Sequence, residues 1–252
     1  MKCDPDRMIE SLIKAQLTEP RATDSADAAA QSRQQKLDTT VVTISRSYGA
    51  LGHDIAHLLA DALDLRCCDC AILQEVAKRA NVDESLVKVL DEHVSIISSR
   101  YSDQDDHWWK RLINRYSFTH EDYQDYLAKT ILSISLHGGV IIGRGANFIL
   151  GEERAFRVRL VGSLEKCAKR VAERDHLSIE QAVEKVQEVD YERIEYIRKL
   201  YDADIDDPLS YDLIINTDRF DRIQVAALIL EAMKKAGYTL PTDAFESISA
   251  TA

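Results

Sequence analysis

No stretch of this chain stays apolar long enough to span a bilayer; the longest hydrophobic runs are broken by charge or glycine. No membrane partner is expected on that ground. The opening Met1-Lys2-Cys3-Asp4-Pro5-Asp6 lacks the apolar core of a secretion signal, and a cytoplasmic location is the expectation. Positive charge is in deficit. Asp and Glu total 43 against 32 Lys and Arg, for a net charge of −11, which argues against nucleic acid as a partner held over a broad surface. A small basic pocket inside an acidic protein remains compatible with that balance, and the basic residues best suited to one follow Arg144. The cysteines are not spaced to complete a metal tetrad. Of five cysteines, three sit in Cys67-Cys68-Asp69-Cys70, giving one C-x-x-C spacing with no second copy and no nearby histidine. Cys67 and Cys70 read either as a redox or metal pair or, more plainly, as a buried strand end. No internal repeat occurs.

The 252 residues, 45% of them hydrophobic, suit one large α/β domain with an extension. Residues 1–38 look like an appendage. Met8, Ile9, Leu12, Ile13 and Leu17 follow a helical period, and that apolar face suits docking on the core or on a second copy in a homodimer. Apolar runs predict strands over 41–45, 65–68, 140–142, 155–161 and 211–215. Helices are predicted over 52–63, 71–80, 83–98, 121–136, from Ser163 to about 174, 178–200 and 223–235. Tyr101–Phe118, with His107-Trp108-Trp109-Lys110-Arg111, resists assignment; His107 and His120 have no partner spacing. Residues 241–252 read as a loose polar tail. Strands alternating with helices imply right-handed crossovers and a parallel sheet covered on both faces.

The first strand leads into Arg46-Ser47-Tyr48-Gly49-Ala50-Leu51-Gly52-His53-Asp54, and an amphipathic helix follows. Strand, glycine turn and helix in that order make a phosphate cradle, because glycines let backbone N–H groups close on an anion at a helix N-terminus. Laid on the P-loop pattern G-x-x-x-x-G-K-[ST], the window has Ser47 for the first glycine, His53 for the lysine and Asp54 for the hydroxyl residue.

Three motifs in order carry a resemblance: Ile44-Ser45-Arg46-Ser47-Tyr48-Gly49-Ala50-Leu51-Gly52; Ile142-Gly143-Arg144-Gly145-Ala146-Asn147; and Asp190-x-x-Arg193-x-x-Tyr196-x-Arg198-x-x-Tyr201. Cys68-Asp69 and the run from Asp207-Pro208 to Asn216-Thr217 add to it. Over about residues 40 to 238 the chain resembles the cytidylate kinase-like family of P-loop proteins. That resemblance implies an α/β, three-layer P-loop NTPase fold with a five-stranded parallel sheet flanked by helices. It also implies a helical monophosphate-binding insert (71–130) and a lid near 190–208, within a domain spanning 39–240. It further implies ATP and Mg²⁺ as cofactors and a nucleotide substrate. On this reading the loop residues Arg46 to Asp54 hold the triphosphate, Asp54 touches the metal, and Asp69, Arg144 and Asp190 bind the acceptor. Arg144, Arg193 and Arg198 stabilise the transferring group, and Arg170 and Arg174 face the nucleoside triphosphate.

Phosphoryl transfer needs positioning and positive charge more than covalent chemistry. Arg144, flanked by glycines at the end of an apolar strand, stands where ligands of open α/β sheets bind, and its planar fork suits phosphate. Arg170, Arg174 and Arg198, taken singly, read as solvated helix residues; an Asp190–Arg193 pair reads also as a helix brace. Tyr196, Tyr201 and Tyr211 read as packing residues, and Trp108 and Trp109 as insert core or a subunit contact, with stacking of one of them on a base as the alternative. Histidine is a weak substitute for the loop lysine, being mostly neutral at pH 7. Asp54 can bind magnesium but repels a triphosphate. Gly145 stands where true cytidylate kinases carry an aspartate. The leading expectation is therefore a nucleoside monophosphate kinase acting on a pyrimidine monophosphate, CMP first. The rivals are a nucleotide-binding regulatory protein with a degenerate loop, and a kinase of another small molecule.

Overall fold

The computed structural model describes residues 39–85, 87–88, 91 and 120–250. The expectations for residues 1–38, for the remainder of the 83–98 helix, and for His107, Trp108 and Trp109 lie outside the described residues. Five strands, β1 (Val41–Arg46), β2 (Cys67–Cys68), β3 (Gly139–Ile142), β4 (Phe156–Val161) and β5 (Leu213–Asn216), form one sheet in the order β2-β3-β1-β4-β5. Every pairing is parallel, and the helices lie on both faces, as the alternating pattern predicts.

Eight α-helices are described: α1 (Gly52–Ala62), α2 (Cys70–Ala80), α3 (His120–Ser135), α4 (Ala146–Arg154), α5 (Leu164–Asp175), α6 (Ile179–Tyr201), α7 (Arg222–Lys235) and α8 (Ala244–Ala250). Glu84, Ser85, Val87, Lys88 and Asp91 are also helical. One core lies on the α1, α5 and α7 side, around Ile44, Ile55, Leu59, Val158, Leu160 and Ile229. The other lies under α2, α3, α4 and the C-terminal half of α6, around Ile72, Tyr123, Ile131, Ile141 and Tyr196. The alternation of side chains along a strand makes this division. Val42 and Ile44 enter the first core while Val41 enters the second. Each fully buried aliphatic contributes roughly 1.5–3 kcal/mol.

Two elements differ from the expectation. Between the Gly143 motif and β4, where no element was predicted, α4 intervenes, interrupted where Gly151 takes φ 63°. The loose tail expected over 241–252 is replaced over most of its length by α8, whose Ala244 and Ile248 are buried in the first core. A seven-residue helix has little intrinsic stability, so packing of those two side chains decides it. The Cys67-Cys68 strand is short, and burial raises both thiols above their ordinary range, Cys67 to about 11. Their low thiolate fraction disfavours redox chemistry at this strand end.

Candidate functional site

β1 delivers the chain into the glycine turn at the C-terminal edge of the sheet. The Ser47 N–H donates to the Leu160 carbonyl (2.9 Å) and the Ala50 N–H to the Ser47 carbonyl (3.2 Å). Gly49 has φ 84°, and a Cβ there would lie 2.6 Å from the Cys167 carbonyl oxygen, so only glycine fits against α5. Leu51, in the left-handed region at φ 61°, begins α1 with no side-chain cap. The first helical N–H bond is that of Ile55 to Leu51. The amides of Gly52, His53 and Asp54 are therefore the unsatisfied donors of an uncapped helix start, the groups that favour an anion.

Arg46 folds back across this turn. Its aliphatic stem lies on Gly52 and its guanidinium on Gly143, leaving no room for a Cβ at either glycine. Burial and the like charges of Arg193 and Arg144 pull Arg46 down to about 9, a measure of how poorly its cation is compensated. Arg193 reaches in from α6, donating to the Arg46 carbonyl (3.0 Å) and to Asp190 Oδ1 (3.3 Å). Asp190 Oδ1 also accepts the Tyr48 N–H at 2.7 Å. A carboxylate thus takes up one amide of the phosphate-type loop. Burial raises the Asp190 carboxyl above its ordinary value in spite of that bond and of Arg193. Arg46, Asp190 and Arg193, with Ser47, Arg159, Ile194, Ile205 and Asp206, line a cavity of about 100 Å³.

Arg159 is the member the sequence reading missed. It stands on β4 opposite Ser45 of β1, donates to Ser45 Oγ (3.0 Å) and Asp206 Oδ1 (2.7 Å), and its side chain is only 7% exposed. A pair of arginines on one face of an alternating strand, Phe156-Arg157-Val158-Arg159-Leu160, was the available signal; Arg157 turns to Asp212 at the sheet margin.

The remaining arginines divide. Arg144, at φ 55°, pairs with Asp91, which also accepts the Tyr123 hydroxyl (2.5 Å). Tyr196 closes the group through the Tyr123 hydroxyl (3.1 Å), and Tyr201 donates to the Arg144 carbonyl (2.7 Å). The tyrosines are packing and positioning groups. Arg170 donates to the carbonyls of Gly49 (3.3 Å) and Thr217 (2.6 Å), bracing the turn against the end of β5. Arg174 meets the Tyr48 hydroxyl (2.7 Å) and lies over its ring with Arg193. Arg198 points outward to Glu195 (2.6 Å) with 63% exposure and does not join the cavity. His53 and Asp54 are exposed, with His53 against His57 at 4.5 Å between ring centroids. Asp69 lies near enough to Arg46 to favour its charge.

Residues 41–219, well over half of the chain, match the cytidylate kinase-like family. The chain belongs to the cytidylate kinase-like family. Among curated relatives, a cytidylate kinase of Methanocaldococcus jannaschii is 25% identical over 72% of this chain and 90% of that one. A cytidylate kinase of Pyrococcus horikoshii is 28% identical over 47% of this chain and 62% of that one. An uncharacterized protein from Eubacterium ventriosum shares the fold in its crystal structure, with a TM-score of 0.56, 18% identity, and coverage of 78% of this chain and 99% of that one.

Family membership sharpens the departures. Gly145 cannot carry the expected aspartate: it has φ 66°, and the Tyr201 ring occupies the space of a Cβ. For the magnesium that a kinase of this family implies, the donors fit loosely. No three His, Cys, Asp or Glu side chains converge among the described residues. Asp54 in the first turn of α1 and Asp69 beside Arg46 offer hard oxygens. Magnesium typically takes one or two carboxylates and fills its sphere with phosphate and water.

Proposed function

We propose that this protein is a nucleoside monophosphate kinase that transfers the γ-phosphoryl group of ATP to a pyrimidine monophosphate, CMP being the first candidate. The observation that carries this reading is one cavity lined by guanidinium groups from three elements, Arg46, Arg159 and Arg193, with the stem of Arg46 laid on Gly52 at the uncapped start of α1. On the other side of the Arg46 stem the amides of Gly52, His53 and Asp54 hold the donor phosphates. Arg46 and Arg193 offset charge that builds on the transferring group, the term that dominates such reactions. Arg144 takes the acceptor phosphate when it exchanges Asp91 for it, and Asp69 and Asp190 orient the acceptor. Arg170 holds the turn in shape through Gly49. Bound with ATP, magnesium would neutralise the β- and γ-phosphates, with Asp54 or Asp69 as its protein oxygen. The family, and relatives named cytidylate kinase, support the class of reaction.

Purified protein with ATP, magnesium and a panel of nucleoside monophosphates is expected to form a diphosphate, fastest with CMP, as read by coupled ADP release. Absence of diphosphate from every acceptor would end this reading. One observation favours a second reading, a nucleotide-binding regulatory protein: Asp190 and Arg46 already lie against the turn, and no lysine follows Gly52. Calorimetry showing tight ATP binding without turnover would select it, and gain of turnover in His53→Lys would identify the missing lysine as the cause.

A further inference from the structure

Arg159 needs a reason to be where it is. An arginine buried to this degree on the second strand from the edge of a parallel sheet costs several kcal/mol in lost hydration unless its charge is met. Its two terminal nitrogens are held by Ser45 and Asp206, while Nε, fully buried, has no partner. Asp206 meets it weakly, being 62% exposed and therefore screened. Two more guanidiniums line the same cavity. Arg193 shares its carboxylate, Asp190, with the Tyr48 amide. Arg46 makes no carboxylate pair among the described residues, and burial lowers the pKa of both. Three cations line the cavity against two carboxylates, one of them mostly in water, and Asp69 acts on Arg46 from outside the lining, so the lining itself is short of negative charge.

The cavity, at about 100 Å³, holds the liquid volume of roughly three waters. A space of that size suits a compact tetrahedral oxyanion. We propose that it is a seat for one phosphoryl group, in which Arg159 is a phosphate-contacting residue held at a set angle by Ser45 and Asp206. The inference deepens the kinase reading, which says only whose phosphoryl group enters; the seat itself is a property of these side chains and is tested without turnover. Arg159 complements Arg46 and Arg193 because its fork is already held by Ser45 and Asp206, so it loses little conformational entropy on binding. Asp206 has two parts in this, orienting Arg159 and competing with the anion for it.

Inorganic phosphate is the probe, titrated by calorimetry in a chloride buffer of fixed ionic strength. The wild-type protein is expected to bind one phosphate. Arg159→Gln should weaken it about 10- to 100-fold, the loss of a charged hydrogen bond, Arg159→Lys less, and the exposed Lys235→Gln on α7 not at all. Asp206→Asn should tighten phosphate, because a competing charge is gone; this variant retains every cation and serves if Arg159→Gln fails to fold by circular dichroism. Phosphate that does not bind the wild type, that binds Arg159→Gln equally well, or that binds Asp206→Asn no better would overturn the proposal. Adding ATP should displace phosphate if the seat takes a nucleotide's phosphoryl group. Undisturbed phosphate would assign the seat to a free anion and leave Arg159 in it. Kinase activity is a separate result: phosphate binding that needs Arg159 in a protein with no transferase activity keeps the seat and removes the kinase, and turnover with no phosphate-binding change at Arg159 does the reverse.

Discussion

Asp190 is the residue whose contacts and burial pull hardest in opposite directions. Its oxygen caps the Tyr48 amide and pairs with Arg193, yet burial raises its carboxyl above the ordinary range. Desolvation therefore outweighs both favourable contacts, and the folded protein holds this proton more tightly than the unfolded chain does. By linkage, the stability contributed by the protonated group is present at acid pH and is lost as pH rises through the folded value. Asp190→Asn is neutral throughout. Its stability relative to wild type should rise from about pH 4 to neutrality, measured by urea unfolding at each pH. A difference that stays flat or falls would mean that the Arg193 pair dominates. Asp190 and Arg193 were legible because their i,i+3 spacing stands in a motif. Their use was not, since the carboxylate's partner Tyr48 lies 142 positions away. Gly145 illustrates the same limit: the glycine is visible in the sequence, and the Tyr201 ring that requires it is visible only in the fold.

At the scale of elements, α6 contributes more of the cavity lining than any other, through Asp190, Arg193 and Ile194. It opens with a capping box, Ser178 accepting the Gln181 N–H (3.2 Å) while the Gln181 side chain accepts the Ser178 N–H (3.0 Å). That start sets the phase of the helix, which puts Asp190 and Arg193 toward the turn and turns Arg198 outward. Ser178→Ala should cost about 1 kcal/mol, seen as a lower thermal midpoint, with CMP and ATP binding unchanged because the ligand-facing half lies three turns on. Caps and amphipathic periods made α1, α5, α6 and α7 readable. α4 was not, because Gly143-Arg144-Gly145 has the composition of a loop and the helix that follows is interrupted at Gly151. α8 was not, because its seven residues hold a helix only where Ala244 and Ile248 find the core. Arg159 escaped notice for a related reason. A charged residue in a strand reads as solvent-facing, and only the packing of α6 and the 205–206 turn over that face encloses it.

For the whole molecule, the site belongs to both faces of the sheet at once. Arg46 and the turn issue from the central strand, Arg170 ties the turn to β5, and α6 contributes to both cores. A ligand in the cleft should therefore stabilise the entire fold. At ATP concentrations of 100 times the dissociation constant the gain is about 2.7 kcal/mol. In a chain of this size that raises the thermal midpoint by about 5–10 °C, and a thermal-shift titration reads it. No shift with ATP and magnesium would remove both the kinase and the nucleotide-binding readings. The amino-acid order by itself determined the alternation of strands and helices, the glycine turn after β1 and the family, because these rest on periodicity and on contiguous residues. The tertiary structure alone decided which arginines face one another, that Arg159 joins them and Arg198 does not, and that Asp190 answers the turn. Those outcomes depend on strand order and on helix phase over a hundred residues, and a local pattern of residues carries no record of either.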